Sequence, residues 1–210
     1  MRILKISTTI LFLYLAVSCS QESPTIEIYR KATYQVQEKF NPDMAVSTAE
    51  QSLSNLLYDG LFTVTGHLEI KPVLVDNWTI SEDGKTYIFT LKKNVLFHDG
   101  VNLTSDDVAR SYARIQTTES YMKKFFLMVQ RITPIDKYKL TIEIKEAYPP
   151  FLALLASPAA KISRPNDKSG YAIGSGRFQF KGVEIKNGIR VAVLARNEKY
   201  HQEKPIIKIR

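Results

Sequence analysis

Alternating apolar and polar residues on both sides of an Asp-Gly pair constrain the fold of this chain more than any other feature. Residues 78–80 and 86–91 alternate in this way, and the turn between them contains Asp83 and Gly84. Glycine adopts a positive φ without strain, so this arrangement predicts a β-hairpin. Successive side chains of a strand point to opposite faces, which predicts that the aromatic residues of 86–91 share one buried face.

Two further stretches predict hairpins of the same kind. Residues 131–144 contain two alternating runs around a polar turn, and residues 177–195 contain two more around Asn187-Gly188. A shorter alternating run at residues 25–29 predicts another strand. Strands that are joined by tight turns pair in antiparallel fashion, so mostly antiparallel sheets are expected.

Helix signals separate the hairpins. Ser47 and Glu50 have the spacing of a capping box ahead of an apolar stripe, and Gly60 suits the end of that helix. Thr104 begins a second helix, whose first turn carries two carboxylates that the helix dipole stabilises. Two more helices are predicted, at residues 121–129 and 150–156. Helices that alternate with antiparallel hairpins indicate the α+β fold class.

The first residues are typical of an export signal. An uncharged apolar run at residues 10–17 is shorter than the about 20 residues that cross a bilayer. Small residues precede Cys19, as in a bacterial lipobox, so residues 1–18 are predicted to be a lipoprotein signal peptide and Cys19 to carry the lipid. Cleavage nearby without lipid attachment is the alternative. The protein is expected in the periplasm or at the cell surface, anchored to a membrane through Cys19.

Charge and cysteine content exclude several kinds of function. The formal net charge is +8, but the basic residues are scattered and no basic helix carries interleaved aromatic residues, so no nucleic-acid partner is expected. The single cysteine excludes an intrachain disulfide. No nucleophile, base and orienting group form a recognisable set, so neither enzyme activity nor a cofactor is expected.

Two motifs have both a chemical and a structural interpretation. His98-Asp99 suggests a metal ligand or an acid–base pair, but the glycine that follows favours a turn at the end of a strand. Gly174-Ser175-Gly176 suggests a phosphate cradle, but it lacks the Gly-Lys-Ser/Thr ending of a P-loop, which also favours a turn. His67 and His201 are isolated in polar contexts, without the spacing of metal ligands.

Residues 74–108 carry the most specific pattern in the chain. The pattern contains Trp78, the Asp83-Gly84 hairpin with its aromatic strand, the motif Phe97-His98-Asp99-Gly100, and the helix start at Thr104. This order resembles the signature of the family 5 extracellular solute-binding proteins, which include the dipeptide- and oligopeptide-binding proteins. The resemblance continues at residues 150–158, 173–178 and 195–205.

The resemblance implies both a fold and a function. Residues 25–210, after a tether at residues 19–24, would form an incomplete N-terminal lobe of the periplasmic-binding-protein-like (type II/cluster C) fold, with a mixed sheet and hairpins. Family members are much longer, so the second lobe is expected to be absent and the chain truncated. The function would be that of the substrate-binding component of an ABC importer, which captures peptides or similar solutes outside the membrane for the permease subunits.

The resemblance also implies where a ligand binds. In the family, the loop that matches residues 41–47 borders the cleft, and its backbone can pair with an extended peptide. The expected ligand-binding residues are Met44, Ala45, Val46 and Tyr121. The acidic residue that holds a peptide's amino terminus in oligopeptide-binding members belongs to the second lobe, so no residue here is assigned to that role.

Other functions are compatible with the same sequence. A lobe of this kind could serve as a lipid-anchored interaction module, or it could be half of a split binding protein whose second lobe is separately encoded. An interrupted gene, whose product has no independent activity, is a further alternative.

Overall fold

A computed structural model of the chain describes residues 28–32, 39–166 and 170–203. The strands in this part pair antiparallel in sheets of four, three and two strands. The strands are β1 Ile28–Ala32, β2 Phe62–Val64, β3 Ile70–Pro72, β4 Val75–Ile80, β5 Thr86–Leu91, β6 Val129–Asp136, β7 Lys139–Ile144, β8 Phe178–Lys186 and β9 Ile189–Arg196. The helices are α1 Thr48–Leu57, α2 Ser105–Thr117, α3 Lys123–Phe126 and α4 Phe151–Leu155, with a 3-10 turn at Pro42–Met44.

The four-stranded sheet, with strand order β4-β5-β7-β6, is built from two of the predicted hairpins. Gly84 has a φ of 69° in the β4–β5 turn, and Asp83 accepts two hydrogen bonds within that turn. Tyr87, Phe89 and Leu91 of β5 are all buried. Both hairpins and the buried face of β5 are therefore confirmed.

Helix α2 packs against this sheet. The Thr104 amide and hydroxyl both donate to Asp107 Oδ2, at 2.9 and 2.8 Å, so the predicted helix start is confirmed. Val108, Tyr112 and Ile115 are fully buried in the larger hydrophobic cluster, together with the inner face of the sheet. One apolar stripe on the helix and one apolar face of the sheet thus form a shared core.

The three-stranded sheet, with strand order β1-β9-β8, packs against α1. Gly188 has a φ of 76° in the β8–β9 turn, which confirms the third hairpin. Leu194 of β9 joins Leu53 and Leu57 of α1 in the smaller hydrophobic cluster. The strand predicted at residues 25–29 overlaps β1 at its last two residues, and residues 25–27 lie outside the described part.

The helix predicted at residues 121–129 is wrong over most of its length. Only Lys123–Phe126 is helical, and Val129 already belongs to β6. Gln116 Nε2 donates to the carbonyl oxygens of Phe126 and Val129, at 2.9 and 3.1 Å. Because a side chain of α2 and the pairing of β6 with β7 hold this backbone, the helix ends after one turn.

Gly60 does not end α1 as predicted. The helix ends at Leu57, and Tyr58 has an extended backbone with a φ of −130°. Gly60 instead pairs with Lys161, and a Cβ at residue 60 would lie 3.2 Å from the Phe62 carbonyl oxygen. Glycine therefore allows two backbones to approach closely here.

The two hydrophobic clusters meet at residues 58–61, which we call the seam. Tyr58 belongs to the smaller cluster and Leu61 belongs to the larger one. The Ile162 amide donates to the Asp59 carbonyl oxygen at 2.8 Å, so the chain that follows α4 is held against the seam. This arrangement positions the groove described below.

Candidate functional site

A groove of 390 Å³ lies between two segments of the chain. The entry segment, residues 39–46, precedes α1, and the return segment, residues 161–166, follows α4. The Phe40 amide donates to the Gly170 carbonyl oxygen, and the Ala172 amide donates to the Phe40 carbonyl oxygen, both at 3.0 Å. The groove is lined by Lys39, Phe40, Asn41, Met44, Glu50, Pro165, Asn166, Gly170 and Ala172.

The 3-10 turn shapes the entry segment. Pro42 starts the turn, where its missing N–H removes no hydrogen bond, and the amides of Met44 and Ala45 donate back to the carbonyl oxygens of Asn41 and Pro42. Met44 is 45% exposed, whereas Ala45 is fully buried. Ala45 therefore supports the segment from beneath, and its burial gives no support to the prediction that it touches a ligand.

The capping box of α1 occupies the next backbone donors. The Glu50 amide donates to Ser47 Oγ at 3.2 Å, and Glu50 Oε2 accepts from the amides of Ser47 and Val46, at 2.9 and 3.1 Å. Gln51 Nε2 donates to the Val46 carbonyl oxygen at 3.1 Å. Among the described residues, no donor reaches the Met44 carbonyl oxygen. This oxygen is therefore one acceptor that the segment can offer to an N–H group of a ligand.

Val46 and Tyr121 do not line the groove. Val46 is 65% exposed on the entry segment beside Met44. Tyr121 is 38% exposed, and its hydroxyl lies 3.2 Å from Ser157 Oγ, in the turn after α4. The structure thus places Met44 at the groove and Val46 two residues further along the entry segment, whereas Tyr121 lies beside Ser157. Ligand contact at Val46 and Tyr121 stays a prediction.

Aromatic side chains pack behind the groove. The Phe40 ring centroid lies 6.0 Å from that of Tyr58 and 5.9 Å from that of Tyr171, which in turn stacks on Phe180. Burial raises the pKa of Tyr58 above its usual range and raises the pKa of Tyr171 to about 12. Both phenols are therefore neutral at physiological pH, and the Tyr58 hydroxyl donates to the Ala172 carbonyl oxygen at 3.0 Å.

A partly buried ion pair lies behind the entry segment. Arg114 Nε donates to Asp43 Oδ2 at 2.8 Å, and Arg114 Nη2 donates to Ser163 Oγ at 2.7 Å. Asp43 is fully buried, and its Oδ1 has no hydrogen-bond partner in the described part of the chain. No local sequence pattern reveals this pair, because its two members lie 71 residues apart.

His98 and Asp99 form a turn, in agreement with the structural interpretation of their motif. Asp99 Oδ1 accepts from the Val101 amide at 3.1 Å, and Asp99 Oδ2 pairs with Arg164 at 3.0 Å. His98 Nε2 lies 3.0 Å from the Gly176 carbonyl oxygen, and burial lowers the pKa of His98. Among the described residues, no group of three or more His, Cys, Asp or Glu side chains could hold a metal ion.

A second buried polar cluster lies at the seam. The Asp59 carboxylate accepts from the hydroxyls of Ser175 and Tyr200, at 3.3 and 3.2 Å, and lies 3.0 Å from His201 Nε2. Lys161 is 4% exposed, and burial lowers its pKa to about 8. The interpretation of His201 as an isolated residue in a polar context is therefore wrong, because the fold buries it beside Asp59.

Gly174 and Gly176 pack against the end of α1. An added Cβ at Gly174 would overlap the Leu57 carbonyl oxygen, and one at Gly176 would lie 2.5 Å from the Leu57 carbonyl carbon. The Gly176 amide donates to the Leu57 carbonyl oxygen at 3.0 Å. Close approach of two backbones accounts for both glycines without a phosphate ligand.

The predicted export signal and lipid anchor lie outside the described residues. Within the described part of the chain, no helix is long and apolar enough to cross a membrane. Lipidation of Cys19, the signal peptide at residues 1–18 and the tether at residues 19–24 therefore stay predictions.

Comparison with known proteins identifies relatives of this chain. The family model for bacterial extracellular solute-binding proteins, family 5 Middle, matches residues 69–209. The glutathione-binding protein GsiB of Salmonella choleraesuis (strain SC-B67) is 27% identical over 164 residues, which are 74% of this chain and 32% of that relative. The chain thus spans about a third (32%) of the length of this relative.

Solved structures share the fold. NikA of Staphylococcus aureus in complex with Ni(L-His)2 superposes with a TM-score of 0.67 and 25% identity, over 80% of this chain and 35% of that one. The ABC transporter-associated periplasmic binding protein DppA of Helicobacter pylori, in complex with the peptide STSA, gives a TM-score of 0.64 and 24% identity, over 80% of this chain and 39% of that one. The predicted periplasmic-binding-protein-like α+β fold is therefore confirmed.

Proposed function

The chain belongs to family 5 of the bacterial extracellular solute-binding proteins, and we propose that it supplies part of the ligand site of a substrate-binding component of an ABC importer. The groove between the entry and return segments is the observation that carries this proposal. Its occupant would be a peptide or a similar solute captured outside the membrane, and its partners would be ABC permease subunits. The proposed role involves binding and release of a solute without catalysis.

The chemistry of the groove suits a solute derived from amino acids. Lys39 is an exposed cation at the groove and can attract a carboxylate. The Met44 carbonyl oxygen can accept a hydrogen bond from an amide or ammonium group. Glutathione, short peptides and histidine complexes of nickel, which the names of the relatives include, all contain carboxylate and nitrogen groups.

Calorimetry on the purified chain, with Cys19 replaced by serine, tests the proposal directly. The probes are glutathione, the tetrapeptide Ser-Thr-Ser-Ala, and Ni²⁺ with L-histidine. Weak but saturable binding of one probe is expected, because a small ligand is normally enclosed over roughly 70–90% of its surface and a groove on one lobe encloses less. A chimera in which this chain replaces the matched third of GsiB should bind more tightly. Failure of both proteins to bind any probe would contradict the proposal.

Export and anchoring are part of the same proposal. We infer that residues 1–18 direct the chain across the cytoplasmic membrane and that Cys19 carries a lipid, with residues 19–24 as the tether. The family description, which names extracellular proteins, supports export. Lipid at Cys19 would hold the groove near the permease.

Half of a split binding protein is the second candidate. The chain spans 32% of one curated relative and 39% of one related structure. Copurification of a second polypeptide with the tagged chain, and tighter probe binding by that complex, would distinguish this candidate from an isolated interaction module.

A further inference from the structure

Arg114 of α2 contacts both segments between which the groove lies. Its Nε donates to Asp43 Oδ2 in the entry segment at 2.8 Å, and its Nη2 donates to Ser163 Oγ in the return segment at 2.7 Å. We propose that Arg114 is a positioning residue that holds the two segments at a set separation and thereby determines the width of the groove.

The two ends of the entry segment are held in different ways. At Phe40, backbone hydrogen bonds to Gly170 and from Ala172 attach the segment to the chain beyond the return segment. Near Asp43, the described links to the return segment run through side chains. The contact of Ser163 Oγ with Asn41 Oδ1 is 3.5 Å long, at the limit of a hydrogen bond. The shorter bonds of Arg114 therefore make the stronger link at this end.

Helix α2 acts as the common support for this link. The Ser163 amide donates to Ser111 Oγ at 3.1 Å, one turn of α2 before Arg114. The return segment is thus attached to the helix by its backbone as well as by the Ser163 hydroxyl. The guanidinium group is planar and presents its donors in a rigid fork, so its orientation determines where Asp43 lies relative to Ser163.

Burial makes the position of Asp43 depend on Arg114. The Asp43 side chain is 1% exposed and the Arg114 side chain is 21% exposed, so water screens their attraction weakly. Asp43 Oδ1 has no partner among the described residues, which leaves Arg114 as the donor that orients the carboxylate. Loss of the guanidinium would leave a buried charge uncompensated and would favour movement of the entry segment toward solvent.

A change in the separation of the entry and return segments would alter which solutes fit the groove. In this respect, the role of Arg114 rests on the proposed function. Movement of the 3-10 turn carries Met44, whose carbonyl oxygen is the proposed ligand acceptor. Groove width would therefore affect affinity even though Arg114 is not one of the groove-lining residues.

Paired spin labels measure the separation without any ligand. Cysteines at the exposed positions Val46 and Pro165, in a Cys19→Ser background, place one label on each segment. Arg114→Met is expected to broaden the distance distribution and to shift its maximum to longer distance. Arg110→Met is the matched control, because Arg110 lies on the same helix and its guanidinium pairs with Asp107 of that helix. This control should leave the distribution unchanged.

Ser163→Ala provides a second variant that keeps the ion pair intact. It removes the hydroxyl link to Arg114 and the longer contact with Asn41 while Asp43 keeps its donor, and it is expected to broaden the distribution as well. An unchanged distribution in folded Arg114→Met would overturn the role of Arg114. If Arg114→Met does not fold, an unchanged distribution in Ser163→Ala would overturn it. Because distances are read without ligand, a failure of glutathione to bind counts against the proposed function alone.

Discussion

His201 Nε2 lies 3.0 Å from Asp59 Oδ2, at the seam between the two hydrophobic clusters. Two further bonds hold the same stretch of chain: the Tyr200 hydroxyl donates to Asp59 Oδ1, and Asn197 Nδ2 donates to the Gly176 carbonyl oxygen. A buried polar group is unfavourable unless it is hydrogen-bonded, so these bonds favour one position for the chain that follows β9.

Asp59→Ala should lower the stability of the chain. Ser175, Tyr200 and His201 would all lose their acceptor, and each unsatisfied buried group costs about 1–3 kcal/mol. Rearrangement of the neighbouring side chains would recover part of this cost. We therefore expect a loss of about 2–4 kcal/mol in the free energy of unfolding, measured with urea. Asp76→Ala, at an exposed position on β4, is the control and should change stability by less than about 0.5 kcal/mol. Equal stability of Asp59→Ala and wild type would contradict a structural role for the cluster.

Lys161 should give the stability of the chain a specific dependence on pH. Burial lowers its pKa from 10.5 to about 8 in the folded state. Between these values the unfolded chain binds more protons than the folded chain, so the contribution of Lys161 makes stability rise with pH over this window. At pH 7 the charged form opposes folding, and Lys161→Met is expected to stabilise the chain by about 2 kcal/mol.

Urea unfolding of wild type and Lys161→Met between pH 7 and pH 10 tests this expectation. The stability advantage of the variant should shrink as pH rises above about 8, because the lysine then loses its proton in the folded chain. Lys93→Met, at an exposed position, is the matched control and should show no such trend. If the free energies of unfolding of wild type and Lys161→Met change in parallel with pH, burial of a charged Lys161 does not affect stability as expected.

Gly176→Ala should destabilise the chain by steric overlap. A Cβ at this position would lie 2.5 Å from the Leu57 carbonyl carbon, and backbone atoms cannot move as easily as the end of a side chain. Overpacking of this kind costs about 1–3 kcal/mol, and we expect a corresponding fall in the thermal midpoint. Gly66→Ala, where an added Cβ meets no atom within 4 Å, should leave the midpoint unchanged. Identical midpoints for both variants would show that the close contact is absent.

Met44→Ala should weaken binding of glutathione if the groove is the ligand site. Met44 is 45% exposed and lines the groove, so truncation would remove apolar contact with a bound solute. A loss of about 1 kcal/mol, or roughly fivefold in Kd, is expected by calorimetry. Ile185→Ala is the control, because Ile185 is also exposed but lies near the β8–β9 turn. Equal affinity of wild type and Met44→Ala would exclude Met44 from the site.

Cys19→Ala should abolish lipid attachment. The cysteine follows an uncharged apolar run that ends in small residues, the pattern of a lipidation site. Radiolabelled palmitate is expected to enter the wild-type chain expressed in a bacterial host and to be absent from the variant. Equal incorporation into both proteins would place the lipid elsewhere or exclude it.

Short stretches of sequence were sufficient to predict the hairpins and two helix starts. Gly84 and Gly188 have the positive φ that their turns require, and Ser47 pairs with Glu50 in the capping box. These features depend on the backbone conformation of a few adjacent residues, so the neighbouring sequence contains the information. The end of the helix predicted at residues 121–129 could not be predicted in the same way, because Gln116 of another helix holds its backbone.

The features of the candidate site also fall into two groups, those that adjacent residues determine and those that distant contacts determine. By itself, the sequence determined the capping box that follows the entry segment, and its resemblance to the family predicts that this loop contacts a ligand. Only the tertiary structure decided that Ala45 is buried, that Tyr121 lies apart from the groove, and that Arg114 joins Asp43 to Ser163. Contacts between residues far apart in sequence depend on how α2 packs on the rest of the lobe, and no local period or spacing encodes that packing.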